Sequence, residues 1–407
     1  MLPNLRHLRL FSVVGRQGSL AAAARELHLT QPAATQAIHG LEQYFGAGLL
    51  LRGSAGVRLS AAGQQCLARV ERALGQLREG AAEAARSAPG AERLERALTA
   101  TQLQALAEVV EQGGFAPAAR SSGRSRPALH RAARQLERNA GLTLFETTSY
   151  GLQPTREAGR LARRARLALA ELEQARAEVA AAGAAAGRTV IGAMPLARTA
   201  LVPEAVLSFL AGEPGHAVAI LDGPYESLLA ALRGGTAEFL VGALRQPSPG
   251  ADLLQEHLFD DPLAIVVRSG HPLAGARRLR ARDLATFPWI APRAGSPLRQ
   301  QFQALFAHGQ PPAPPPIECN SLVAARGLLL GSERMMLLSA HQALHELRSG
   351  LLIALPHPQG RVTRPIGLTL RRDWRPTAVQ ARLLESLRAQ ARALAGGLPS
   401  TGGAAIL

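Results

Sequence analysis

HLTQPAATQAIHGLEQYFG, residues 28–46, is the stretch whose reading decides the fold of the first part of the chain. Thr30 has the side chain of a helix N-cap, and Pro32 stands just inside the helix start, where a missing N–H costs little. Ala33, Ala37, Ile38 and Leu41 recur at helical spacing and face inward, which leaves Thr35, Gln36 and His39 on other faces. Before this helix, Leu5, Leu8, Phe11 and Val14 make one apolar stripe. Gly18 and Ser19 end that stripe, and Ser19 caps a short second helix over residues 20–27. After it, residues 49–51 and 57–59 read as short strands around a glycine-containing turn, the pattern of a small β wing. The stretch from Ala61 to about Arg86 lacks proline and carries Leu67, Val70, Leu74 and Leu77 on one stripe of a long helix. Pro89 and Gly90 read as its stop.

The same layout returns 95 residues later, in TQLQALAEVVEQGGFAPAARSSGRSRPALHRAARQLERNAGLTLFETTSYGLQPTREAGR, residues 101–160. Val14 aligns with Val109, Gly18 with Gly113, Pro32 with Pro127, Leu41 and Glu42 with Leu136 and Glu137, and Gly46 with Gly141. Ser60 aligns with Thr155, and one inserted residue then brings Gly63 onto Gly159. Prolines, glycines and Leu-Glu pairs falling in step point to a repeated supersecondary unit rather than to shared alanine and arginine bias. A second long helix follows over about 156–182. Two such helices in one chain leave two arrangements open: each serves a separate interface, or they fold back on each other.

After AAAGAAAG at 180–187 the character changes. RTVIGAMP, HAVAILDG, AEFLVGAL, LAIVVRSG, FPWIAP, PPPIECN, RMMLLSA and LLIALPH read as strands. Helical stretches such as LVPEAVLSFLAG, YESLLAALRGG, SPLRQQFQALFAHG and SLVAARGLLLG lie between them. Strands alternating with helices on short connections make an α/β domain with a parallel or mixed sheet. TAVQARLLESLRAQARAL is a last helix, residues 396–407 a frayed tail, and HGQPPAPPP at 308–316 a stiff connection.

Bulk properties bound the function more loosely. The net charge is +16, and all 46 basic residues are arginine. The excess is +9 in residues 1–187 and +7 in 188–407, so charge alone does not single out a nucleic-acid-binding half. The two cysteines, Cys66 and Cys319, form no closely spaced metal pair or disulfide framework, which fits a reducing compartment. The first residues carry no signal-peptide pattern, and no stretch of 18 apolar residues is present, so no membrane span is expected. The 11 histidines include no H-E-x-x-H, and nucleophile-elbow, phosphate-loop and dinucleotide fingerprints are absent. The chain therefore reads as a non-enzyme without metal or cofactor.

Specific strings carry a resemblance. Leu10-Phe11, the G-S-L-AAA run at 18–23, T-QPA-T at 30–35, I-x-x-LE at 38–42, G-x-x-LLLR at 46–52 and LSAAG at 59–63 resemble the LysR-type transcriptional regulators. PLAIVVRSGHPLAG at 262–275, FPWIAP at 287–292 and S-L-x-A-A-R-x-L-L-L-G at 321–331 resemble the effector-binding part of that family. The resemblance implies a multidomain chain: two tandem α-helical winged helix-turn-helix domains followed by a two-lobed α/β periplasmic-binding-protein-like domain. The expected divisions are 1–60 and 91–155 for the winged units, 61–90 and 156–187 for linker helices and hinge, and 188–395 for the effector domain. A usual member has one winged unit; this chain carries two. The implied function is transcription regulation in the cytoplasm, with double-stranded promoter DNA and a small-molecule effector as partners, as a homodimer or homotetramer. The open alternative is a small-molecule-binding or interaction protein whose DNA-binding units are vestigial.

In such a unit the second helix of the turn enters the major groove. In the first unit the exposed candidates are Gln31, Thr35 and Gln36, with Thr30 near phosphate and Arg52 and Arg58 flanking the wing. In the second they are Ser125, Arg126, His130, Arg131 and Arg134, a more basic face, while Thr147 replaces the wing arginine. That unit is open to three readings: a reader of a different sequence, a phosphate grip, or a copy kept for packing. In the effector domain, ligands of open α/β folds sit at the carboxyl ends of strands. Arg198, Thr199, Ser227, Arg293, Ser296 and Ser321 fall there, and helix starts with two arginines leave an anionic effector as one option. The serines equally serve as ordinary helix caps.

Overall fold

The computed structural model describes residues 3–53, 56–85, 88–149, 151–181, 187–307 and 314–396. The expected tail and most of the proline-rich connection lie outside these residues. The chain divides into two compact units. One runs to Arg188 and takes in Gly215–Ala217 and Arg233–Thr236; the other holds Thr189–Pro214, Val218–Leu232 and the chain from Ala237.

The first unit opens with α1 (Leu5–Gln17), α2 (Leu20–Glu26), α3 (Gln31–Phe45), the antiparallel hairpin β1 (Leu50–Gly53) and β2 (Gly56–Leu59), and the long α4 (Ala61–Ala84). After α5 (Ala88–Ala97) the same order returns: α6 (Ala100–Glu111), α7 (Phe115–Ser122), α8 (Arg126–Ala140), β3 (Phe145–Thr148) paired with β4 (Gly151–Pro154), and α9 (Arg156–Ala181). Local chemistry repeats with the elements. Glu42 Oε1 accepts from the Leu49 N–H at 2.9 Å, and Glu137 Oε1 from the Leu144 and Phe145 N–H groups at 2.9 and 3.0 Å. Each glutamate thus ties its helix to the chain entering its hairpin. Gly46 and Gly141 end α3 and α8 in the left-handed conformation that glycine adopts without strain.

Two details differ from the sequence reading. Pro89 and Gly90 do not terminate a helix; α4 ends at Ala84, and both residues lie in the first turn of α5. There a proline forfeits no helical hydrogen bond. Nor is a residue inserted before Gly159. Ser60 Oγ accepts from the Gly63 N–H at 2.9 Å and Thr155 Oγ1 from the Ala158 N–H at 3.3 Å, so the caps of α4 and α9 keep the offset of 95.

The two long helices pair with each other inside the chain. Arg69 reaches Glu171, Gln174 and Glu178, while Arg164, nearer the start of α9, reaches Gln76, Glu79 and Glu83, nearer the end of α4. The helices therefore run antiparallel. Gly80 marks their close approach: a Cβ there would lie 2.7 Å from Arg164 Cβ. One apolar core, from Leu5 to Ala175, joins both halves of the unit. Cys66 lies in it, and burial, then the Glu178 carboxylate, pushes its thiol up to about 12. A thiol reagent at neutral pH is expected to label only the half-exposed Cys319 in the native chain and both cysteines after unfolding. Two fast-reacting native thiols would contradict this packing.

The second unit contains β5 (Arg188–Ala193), a 3-10 turn (Pro195–Arg198), α10 (Leu201–Gly212), β6 (Ala217–Leu221), α11 (Tyr225–Arg233), β7 (Phe239–Ala243) and the 16-residue β8 (Leu253–Arg268). It continues with α12 (Ala281–Ala285), β9 (Trp289–Ala291), α13 (Pro297–Ala304), β10 (Ile317–Glu318), α14 (Leu322–Leu330), β11 (Met335–Ser339), α15 (Leu344–Arg348), β12 (Leu352–Leu355), β13 (Thr363–Arg371) and α16 (Ala378–Ala395). The strands follow the order β10-β9-β11-β8-β13-β7-β5-β6, with β12 also on β8. The sheet is mixed: β5 with β7, and β9 with β10 and β11, are parallel, whereas β8 and β13 are antiparallel to their neighbours.

β8 belongs to two lobes. Leu253–Pro262 pairs with β13, and 263–268 lies between β11 and β12. Each lobe has a core on both sheet faces because alternate residues point to opposite sides. Leu263, Ile265 and Val267 pack on one side, and Ala264 and Val266 on the other. Asp261, fully buried, sits where the pairing changes lobe. It accepts from Ser339 Oγ at 2.7 Å, His341 Nδ1 at 2.8 Å and Arg364 Nε at 3.0 Å.

Candidate functional site

The face of α3 follows from its sequence. Ala34, Ala37, Ile38, Leu41 and Phe45 are buried, so Gln31, Gln36, His39 and Gln43 are left in solvent. Ala33, expected to face inward, is exposed, and Ala34 takes the buried place one residue on. Thr30 caps the helix, its Oγ1 accepting from the Ala33 N–H at 3.4 Å. Thr35 is half-buried and its hydroxyl donates back to the Gln31 carbonyl at 3.1 Å. The turn before the helix is held by Arg6, whose Nη2 donates to the Leu27 and His28 carbonyls at 2.9 and 3.3 Å. Arg58 is exposed on β2, opposite Leu51. Arg52 lies in β1, but its side chain falls outside the described residues.

On α8 the candidates separate into two groups. Ser125 caps the helix, accepting from the Ala128 N–H at 3.3 Å, and Arg126 and Arg131 are exposed. His130 is half-buried and stacks on Phe115 with ring centroids 3.9 Å apart and planes 11° from parallel. Burial, then the Arg126 and Arg134 charges, hold its pKa below the ordinary histidine range. Arg134 turns back to Glu137 at 2.8 Å. The short α7 is fastened by Ser122 Oγ donating to the Ala118 carbonyl at 2.7 Å, and Arg124 binds Gln104 at 2.7 Å. Exposed donors in a row along a helix whose first turn is exposed to solvent can meet phosphates and base edges.

In the second unit, Arg198 and Thr199 follow β5 and Ser227 lies in the first turn of α11. Arg293 and Ser296 follow β9, and Ser321 follows β10. Arg198 is ion-paired with Asp222, which the sequence reading did not connect with it. Thr199 Oγ1 donates to the Gln342 carbonyl at 3.1 Å, and His345 Nε2 lies 3.2 Å from the Thr199 carbonyl. Ser296 and Ser321 cap α13 and α14, accepting from the Arg299 and Ala324 N–H groups at 3.2 and 3.3 Å. Arg293 and Ser227 are exposed. Sequence reasoning missed Arg299, one turn beyond Arg293. It is half-buried, its Nη1 donates to the Pro292 carbonyl at 2.9 Å and lies 3.7 Å from Glu318 Oε2, and its buried Nε has no hydrogen-bond partner among the described residues. Its place in the first turn after Ser296 is the signal that points to it. Among the described residues no cluster of histidine, cysteine or carboxylate side chains is set to hold a metal, and no helix is long and apolar enough to cross a membrane.

Comparison with known proteins agrees with this geometry. The family model described as LysR substrate binding domain matches residues 182–392. The model described as bacterial regulatory helix-turn-helix protein, lysR family, matches twice, at 5–64 and 100–159. The HTH-type transcriptional regulator GalR of Pseudomonas putida is 35% identical over 372 residues, covering 91% of this chain and 93% of GalR. The HTH-type transcriptional regulator PcaQ of Agrobacterium fabrum is 32% identical over 299 residues, covering 72% of this chain and 96% of PcaQ. Among solved structures, a single-substitution variant of full-length OxyR from Pseudomonas aeruginosa is similar with a TM-score of 0.55 at 22% identity, covering 72% of this chain and 95% of that one. ArgP of Mycobacterium tuberculosis is similar with a TM-score of 0.54 at 18% identity, covering 71% and 96%. At these identities the structural likeness speaks for the fold alone.

Proposed function

The chain belongs to the LysR family of bacterial regulators, and from that premise we propose that it regulates transcription through two winged helix-turn-helix units of unequal chemistry under the control of one effector domain. As a LysR-family protein it is a DNA-binding transcriptional regulator with effector-modulated activity, and it is not an enzyme. LysR-family regulators also oligomerise and are typically cytoplasmic. A homodimer or homotetramer in the cytoplasm is our reading for this chain. The tandem arrangement is supported by the double family match and by the repeated element order. It is also supported by coverage: GalR aligns with 91% of the chain, while PcaQ, matched over 96% of its own length, leaves about a quarter of this chain unmatched.

The observation that carries the DNA-binding reading is α3, a capped helix presenting Gln31 and Gln36 to solvent. A glutamine amide pairs with the N6 and N7 edge of adenine, and the Thr35 methyl suits the thymine methyl. A gel shift at fixed salt, using genomic fragments, tests it. Gln36→Ala is expected to lose about 1–3 kcal/mol of discrimination at one base position while leaving non-specific binding in place. Absence of specific binding to any fragment would leave the vestigial alternative as the correct one.

For the effector, we propose a small anion. Arg293 is exposed beside the capped start of α13, and Arg299 follows within the first turn. Arg198 is paired with Asp222, and Arg299 is shared with Glu318 at 3.7 Å, so the exposed Arg293 carries most of this reading. Ligand control of DNA binding requires that the effector bind the DNA-competent arrangement and its alternative with different affinities.

A further inference from the structure

We infer that a single chain, not two, supplies the pair of reading helices for one DNA site, and that the two halves of that site differ in sequence. The inference rests on the DNA-binding reading above and adds the number of chains and the asymmetry of the site.

The α4–α9 pair carries the first part. In a two-fold interface between identical subunits, residue i of one contacts j of the other while j contacts i in return. The same rule is written here within one chain, at an offset of 95. Arg69 and Arg164 are equivalent positions. Arg69 binds residues 171, 174 and 178, and Arg164 binds 76, 79 and 83, which are the equivalents of those three. The buried stripe repeats too: Gly63, Cys66, Val70, Ala73, Leu77 and Gly80 on α4 answer to Ala158, Leu161, Ala165, Ala168, Leu172 and Ala175 on α9. The apolar face of each long helix is thus covered by its counterpart from the same chain. Covalent connection holds the two at an effective concentration that no dilution lowers.

The reading helices carry the second part. At equivalent positions α3 has Gln31 and Gln36 where α8 has Arg126 and Arg131. Glutamine suits adenine, and arginine suits the O6 and N7 edge of guanine. The remaining basic groups of α8 have partners on the protein, His130 on Phe115, Arg134 on Glu137 and Arg138 on Gln135. Arg126 and Arg131 are left to read bases. An adenine-bearing half under α3 and a guanine-bearing half under α8 follow.

The test combines stoichiometry with footprinting of the full chain on its own genomic fragment. The native mass of the complex is expected to give one chain for every two protected halves. Gln36→Ala is expected to weaken protection of one half and Arg131→Ala of the other, each by about tenfold or more. One chain per half, or both substitutions acting on the same half, would overturn the inference while leaving DNA binding intact. Loss of all specific binding by the unmodified chain would overturn both. A second measurement needs no DNA. Glu83→Cys with Arg163→Cys, replacing a pair that meets at 3.4 Å between α4 and α9 in a chain also carrying Cys66→Ala and Cys319→Ser, is expected to be bridged by a short bismaleimide within one chain. A cross-linked two-chain band on a denaturing gel would overturn the inference.

Discussion

Arg69→Met is expected to cost the N-terminal unit about 3–5 kcal/mol, measured as the shift in its urea midpoint. The guanidinium is 3% exposed and meets Glu171 at 3.1 Å and Glu178 at 2.5 Å, with the Gln174 amide oxygen at 2.6 Å. Burial works against its charge, but the Glu178 and Glu171 carboxylates outweigh that and hold the charged form firmly. Methionine fills much of the same space and removes every donor. Both carboxylates then lose this cation, and among the described residues Glu171 keeps a second arginine, Arg72 at 2.9 Å. The equivalent Arg164→Met serves as the control. Arg164 is 18% exposed and its partners Glu79 and Glu83 are 57% and 30% exposed, so water screens the loss. About 1 kcal/mol is expected there. Equal effects at the two positions would show that burial does not set the strength of these clusters.

The second large effect is expected in the effector unit. Asp261→Ala removes a fully buried carboxylate from Ser339, His341 and Arg364 at once. Breaking a buried pair by deleting one partner costs about 3–5 kcal/mol, a fall in Tm on the order of 10 °C for a domain of this size. Asp261→Asn keeps an acceptor for one donor and should fall between. Because β8 changes lobes at this residue, the loss is expected to loosen both lobes together rather than one. A thermal scan tests this. An unchanged Tm for Asp261→Ala would mean that the three donors find other partners without cost.

The sequence made some of these features readable and hid others, for identifiable reasons. Caps were readable because their signal is local: Ser19, Thr30, Ser125 and Ser321 each sit at a helix start and accept from the N–H three residues on. β13 was not assigned from the sequence. Pro365 lies inside it and argues against a strand. The structure accommodates that proline next to the register shift at Ile366 and Gly367. Asp261, Ser339, His341 and Arg364 are far apart in the chain, and no spacing rule joins them. The Arg69 and Arg164 clusters are legible in the sequence, because the offset of 95 that relates the wings also relates the residues of the two long helices. In the candidate sites, exposure of Gln31, Gln36, Arg126 and Arg131 follows from helical periodicity. The stacking of His130 on Phe115 and the neutralisation of Arg198 by Asp222 depend on tertiary placement and were not legible.

The pairing of α4 with α9 also has a genetic consequence. Where two identical subunits meet, one codon writes both sides of the contact and every change is made twice. Here each side has codons of its own. The sequence already records their independence: an acid at 171 answers to an amide at 76, and an amide at 174 to an acid at 79, yet each arginine still faces two carboxylates. A defective allele cannot poison a sound one through this contact, and a related regulator in the same cell finds no open helix there to exchange with.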